Sequence, residues 1–128
     1  MTTQLHATFD VTSWDETPFD EGTEVAKLTE ALVEKTYAGD VEGTSTTKWL
    51  MAYAPDQSAE YVGLERIKGT FGGRHGSLVL HHVGRFADGA ATATLTVVSG
   101  TNELKGVTGE GSFRADPAGS ITLDLTVG

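Results

Sequence analysis

The chain has no cysteine and few basic residues. The absence of cysteine excludes disulfide bonds, thiolate metal sites and cysteine nucleophiles. Basic residues number 9 against 18 acidic ones, giving a formal net charge of −9, and they form no run. Because an acidic surface repels phosphate backbones, we expect no nucleic-acid partner.

Long apolar stretches are also missing. No segment approaches the roughly 20 apolar residues that a membrane-spanning helix needs, so no membrane partner is expected. The first ten residues have neither the basic head nor the apolar stretch of a signal peptide. These features predict a cytoplasmic protein.

No established catalytic motif is present: neither a Gly-x-Ser-x-Gly elbow, a phosphate loop, a dinucleotide fingerprint nor His-Glu-x-x-His. The glycine-rich segment 72–76 lacks the lysine of a phosphate loop and is interpreted as a hairpin turn. His81 and His82 are adjacent, so in a strand they point to opposite sides of the sheet and cannot readily share one ion. We therefore predict no metal and no cofactor.

Alternation of apolar and polar residues dominates what is there. In residues 4–12 and 121–127, apolar side chains fall on one face and polar ones on the other. Sixteen glycines and several turn signals, such as Asp88-Gly89, separate such runs. The 128 residues suit one domain, predicted to span 1–128.

This pattern predicts an all-β fold, a sandwich or a closed antiparallel barrel of eight strands. The predicted strands are near 3–13, 28–37, 41–53, 60–70, 76–87, 90–98, 103–114 and 120–127. Residues 27–37 fit a helical period as well as a strand. Residues 14–26, with five acidic side chains, are predicted to be a connection.

Three titratable residues lie in the middle of predicted strands. Glu65 and His82 share their faces with apolar residues, which is costly for a polar group unless it finds a partner or has a use. Glu110 has three glycines around it, which leave room for a ligand or for a bulky neighbour. Each of the three could carry acid–base chemistry, and each could equally be structural.

An aromatic stripe runs along the third predicted strand. Trp49, Met51 and Tyr53 share one face, and Tyr61 begins the next apolar run. In a filled barrel these residues are core. In a barrel with a cavity they form the wall of an apolar pocket and contact a substrate.

The chain resembles DUF3224, a family of small bacterial proteins of unknown function. The resemblance rests on Trp14 and, above all, on the segments 37–43, 61–71, 73–86 and 99–111. It favours strand over helix at 27–37 and implies a closed β-barrel similar to allene oxide cyclase, associating as a homo-oligomer. Family-pattern residues in this chain include Glu65, His82 and Glu110.

Eight strands enclose an interior that is either filled or able to hold one small ligand. The leading prediction is a barrel that binds a small apolar molecule, and within it a cofactor-free cyclase or isomerase using Glu65, His82 or Glu110. A non-catalytic, lipocalin-like binder and a filled structural barrel are the alternatives.

Overall fold

The computed structural model describes residues 2–22, 26–115 and 119–126, and within them eight antiparallel strands close into a ring. The predicted all-β closed barrel is confirmed. Each strand pairs with its neighbours in sequence, and β1 pairs with β8 to close the ring. The strands are β1 (Thr2–Asp20), β2 (Lys27–Gly39), β3 (Val41–Tyr53), β4 (Ala59–Phe71), β5 (Arg74–Ala87), β6 (Ala90–Gly100), β7 (Thr108–Ala115) and β8 (Gly119–Thr126).

The ambiguous segment is strand β2. Every second residue points into the barrel and is buried, from Thr29 to Tyr37, with Lys35 among them. Leu32, which the helical interpretation grouped with the apolar face, lies outside and is half-exposed. Pairing with β1 and β3 along its length decides for the strand.

The predicted connection at 14–26 is wrong for residues 14–20, because β1 continues to Asp20. This part of β1 pairs with β2, whereas the pairing of β1 with β8 ends at Phe9. A strand paired on one side tolerates proline, and the register shifts between Pro18 and Asp20. The acidic residues and the proline of segment 14–20 are therefore compatible with a strand that pairs on one side only.

The seventh strand begins later than predicted, at Thr108 instead of residue 103. Residues Asn102–Leu104 form a single 3-10 turn, and its first residue, Asn102, has a positive φ of 54°. Leu104 from this turn is fully buried. The Asp88-Gly89 turn is confirmed, with φ of 55° and 78°, whereas Val127 and the turn at Asp116-Pro117 lie outside the described residues.

The outer face carries apolar side chains on one side of the barrel. Leu50, Val62 and Val83 stand directly opposite one another on β3, β4 and β5, and each is 45–50% exposed. We call these three residues the outer row. Leu64, 55% exposed, extends it along β4. Within the described residues, no helix is long and apolar enough to cross a membrane.

Candidate functional site

The barrel interior holds a cluster of polar side chains, which the alternation of four neighbouring strands turns inward. β2, β3, β4 and β5 pair in register, so their inward positions form rows across the sheet. All members of the cluster are buried. They are Lys35, Tyr37, Trp49, Glu65 and His82.

Glu65 is the centre of this cluster. Tyr37 donates its hydroxyl hydrogen to Oε2 of Glu65 at 2.6 Å, and Nε2 of His82 lies 2.9 Å from Oε1. Nζ of Lys35 is 3.5 Å from Oε2. Burial alone would raise the pKa of Glu65, but Lys35 and His82 lower it to about 2. Glu65 is therefore a carboxylate.

The contacts of His82 define its tautomer. Trp49 donates its indole N–H to Nδ1 of His82 at 3.2 Å, so Nδ1 accepts and carries no proton. The proton of the neutral ring then lies on Nε2 and is donated to Glu65. Burial lowers the pKa of His82, although Glu65 opposes that effect. His82 is thus a neutral base, and the lone pair on its Nδ1 is occupied by the indole N–H of Trp49.

Lys35 was not among the predicted site residues. Its ammonium lies over three aromatic rings, 4.7 Å from the centroid of Phe9, 4.9 Å from that of Trp49 and 5.0 Å from that of Phe113. Burial lowers the pKa of Lys35, and Glu65 partly opposes it. The alternation of β2 is the signal that could have found this residue, since a strand at 27–37 with Val33 inside also turns Lys35 inward.

A glycine allows Trp49 to reach His82. Trp49, Gly63 and His82 are direct partners in one row across β3, β4 and β5. A Cβ atom on Gly63 would lie 2.5 Å from Cδ1 of Trp49. The indole passes over this bare position to meet the imidazole. Tyr61 crosses Gly84 in the next row in the same way, and its hydroxyl donates to the carbonyl of Thr92 at 2.9 Å.

The residues predicted to form a pocket wall lie between the row of Glu65 and one end of the barrel. Trp49, Met51 and Tyr61 are buried, and Tyr53 is partly exposed at the mouth. The rings of Trp49 and Tyr61 lie 5.1 Å apart, and that of Trp14 lies 5.6 Å from Trp49. The rings of Trp14, Trp49 and Tyr61 form a layer between the mouth and the Glu65–His82 pair, which we call the aromatic floor.

A pocket of about 590 Å³ opens at this mouth. Glu16 in its lining accepts three side-chain hydrogen bonds: Oε2 accepts from Thr29 and Tyr53, both at 2.6 Å, and Oε1 from the indole of Trp14 at 3.1 Å. Partial burial would raise the pKa of Glu16, but these hydrogen bonds lower it. Burial and Glu16 raise the pKa of Tyr53 to about 12. Glu16 was missed because its segment was predicted to be a connection.

Glu110 does not join the interior group. It is exposed on the outer face of β7, where it stands opposite Thr96 and Asp124. Its glycine neighbours face inward, and Leu123 and Leu125 from β8 take the space beside them. The prediction of Glu110 as a catalytic residue of the lumen is therefore corrected.

Comparison with known proteins places the chain in a family. Residues 5–127 match the model of DUF3224, described as a protein of unknown function. A crystal structure of a DUF3224 protein of unknown function from Shewanella oneidensis MR-1 is 28% identical, with a TM-score of 0.82 over 100% of this chain and 99% of that one.

A second solved structure, that of pyocyanin demethylase, is 16% identical in sequence, with a TM-score of 0.70 over 97% of this chain and 100% of that one. At this identity the likeness concerns the fold alone. No curated protein matches the chain. The likeness to allene oxide cyclase stays a prediction.

Proposed function

The chain belongs to the DUF3224 family, and from this premise we propose that it binds a small, largely apolar molecule at the barrel mouth and isomerises or cyclises it without a cofactor. The observation that carries the proposal is the neutral His82 held between a carboxylate and an aromatic floor. Buried titratable groups with perturbed pKa values cluster at functional sites. Pyocyanin demethylase, which shares the fold, acts on a small molecule, as its name states.

The ligand would sit in the mouth pocket, whose wall includes Tyr53 and Thr29. Met51, Trp49 and Tyr61 are not part of that wall and are buried further inside the barrel. Nδ1 of His82 becomes accessible once the indole of Trp49 turns aside. It can then take a proton from one ligand atom and return it to another. Glu65 would stabilise the transient imidazolium through its existing bond to Nε2. The same geometry without proton transfer describes a lipocalin-like binder.

Binding can be tested with the neutral fluorescent probe N-phenyl-1-naphthylamine. We expect one saturable site per chain, because the mouth pocket is large enough for one small aromatic molecule. Thr29→Trp should abolish that site by filling the pocket, of which Thr29 is part. The matched control is Val62→Ser, which removes apolar surface from the outer row and should leave the site unchanged.

Two outcomes would contradict the proposal. Probe fluorescence lost in Val62→Ser but kept in Thr29→Trp would place binding on the outer face. No binding to any form would favour the filled structural barrel, which the burial of Glu65 and the side chains around it supports. Catalysis is tested separately, by isolating the compound that co-purifies with the chain and following deuterium uptake into it in D₂O, which His82→Gln should stop.

We also propose that the chain forms a homo-oligomer through the outer row. An exposed apolar surface of this kind on a small protein marks an interaction site. Outward residues of β4 run from Glu60 through Val62 and Leu64 to Arg66. A second copy packed antiparallel would place Glu60 against Arg66, so the charges favour this chain as its own partner.

Val62→Glu should dissociate that oligomer, because it buries two new carboxylates, one from each copy, in a two-fold interface already flanked by Glu60. Sedimentation velocity would show the change as a drop to the monomer mass. Thr8→Glu, on the outer face of β1 away from the row, serves as the control and should keep the parent mass. A parent chain that is monomeric at high concentration would contradict the proposal.

A further inference from the structure

Lys35 is the interior group that the proposed reaction leaves without a role. It is fully buried, deeper than the mouth pocket, and Nζ is 3.5 Å from Oε2 of Glu65. The rings of Phe9, Trp49 and Phe113 surround Nζ at 4.7 to 5.0 Å from their centroids. Aromatic faces combined with a carboxylate form the type of cage that recognises alkylammonium ions.

We propose that Lys35 is a tethered ammonium ligand of this aromatic cage and the positioning residue that keeps Glu65 ionised and His82 neutral. The cage is thus a cation site that the chain fills with its own side chain. The inference rests on the proposed function only in giving the Glu65–His82 pair a chemical use. The charge states themselves are a property of the free protein.

Few titratable groups face the cluster, so the effect of Lys35 can be separated from others. β2 supplies Lys35 and Tyr37, β4 supplies Glu65 and β5 supplies His82. His81, on the opposite face of β5, also lowers the pKa of His82 through charge repulsion. Among the described residues, the inward side chains that the remaining strands supply at this level are uncharged: Phe9, Ser45, Thr47, Trp49, Leu95, Phe113 and Leu123.

The charge balance of these groups explains the state of His82. With the ammonium in place, the carboxylate of Glu65 is compensated, and a proton added to His82 would bring a second positive charge beside Lys35. That proton would also displace the indole N–H of Trp49 from Nδ1. Without the ammonium, only a proton can compensate Glu65, so the pair should take up a proton at higher pH.

The test compares Lys35→Met, which keeps the shape and removes the charge, with Lys35→Arg, which keeps the charge. Nitrogen-15 NMR of the His82 ring, in ligand-free protein, reports its tautomer and protonation across pH. We expect His82 in Lys35→Met to titrate at a higher pH than in the parent, and His82 in Lys35→Arg to remain neutral with its proton on Nε2. Unchanged titration in Lys35→Met would overturn the inference and would leave Lys35 a packing residue.

The cage itself is tested by chemical rescue of Lys35→Ala with n-propylammonium, which replaces the three missing carbons and the nitrogen. The unfolding midpoint of this variant should rise with n-propylammonium concentration, and that of the parent should not. Equal rescue by 1-propanol would overturn the assignment of a cation site. Because neither measurement uses the mouth pocket, failure of probe binding would contradict the proposed function and leave this inference standing.

Discussion

Replacing Glu65 by leucine should destabilise the barrel by about 3–5 kcal/mol, the cost of leaving a buried charge unpaired. The substitution removes the acceptor of the hydrogen bonds from Tyr37 and His82 and the counter-charge of Lys35. None of these groups reaches water, since all are buried. Urea unfolding at pH 7 would measure the loss as a lower midpoint with an unchanged slope.

A double-mutant cycle with Lys35→Met gives this prediction its control. Lys35→Met alone should cost less than Glu65→Leu, because the carboxylate keeps two hydrogen-bond donors and can be neutralised by a proton. The double variant should recover the part of the loss in Glu65→Leu that comes from the unpaired charge of Lys35, but not the part that comes from the hydrogen bonds of Tyr37 and His82. Additive losses in the double variant would mean that the two charges do not interact across 3.5 Å.

The second large effect is expected at Gly63. Alanine there should destabilise the protein by about 3 kcal/mol, because its Cβ would meet the carbonyl oxygen of Lys48 and lie 2.5 Å from Cδ1 of Trp49. The displaced indole would also lose its bond to His82. Thermal unfolding and tryptophan fluorescence would record both consequences.

Gly89→Ala is the comparison for this substitution. Gly89 has no atom within 4 Å of a built Cβ but has φ of 78°, so alanine there meets only backbone strain, about 1 kcal/mol. Gly63 is not among the glycines with positive φ. Equal losses in the two variants would show that crowding by Trp49 is not what requires glycine at position 63.

Local pattern was enough to place Glu65 and His82 inside the barrel. Each sits in a run of alternating apolar residues, and burial of the run carries the polar residue with it. Lys35 obeys the same rule, but its segment also fits a helix. In a segment that fits both a helix and a strand, the sequence does not show whether a charged side chain such as Lys35 points into the barrel or out of it. Only pairing with β1 and β3 resolves it.

The errors concern contacts that other strands supply. The glycines around Glu110 indicate free space, but Leu123 and Leu125 from β8 fill it, and that pairing is not written in either segment alone. Glu16 accepts hydrogen bonds from the hydroxyl groups of Thr29 and Tyr53, which belong to two other strands. Partners of this kind depend on register between strands, so residue spacing within one segment cannot supply them.

The pairing order has a consequence for how the barrel forms. Among the described residues, seven of the eight strand pairs join strands that are consecutive in the sequence, and few residues separate the two strands of each such pair. The eighth joins β1 to β8, where Thr2 meets Thr126, 124 positions away. This single seam carries the long-range entropy cost, so closing it should limit the folding rate. An open seam also exposes two unpaired strand edges, the surfaces from which sheets grow between molecules.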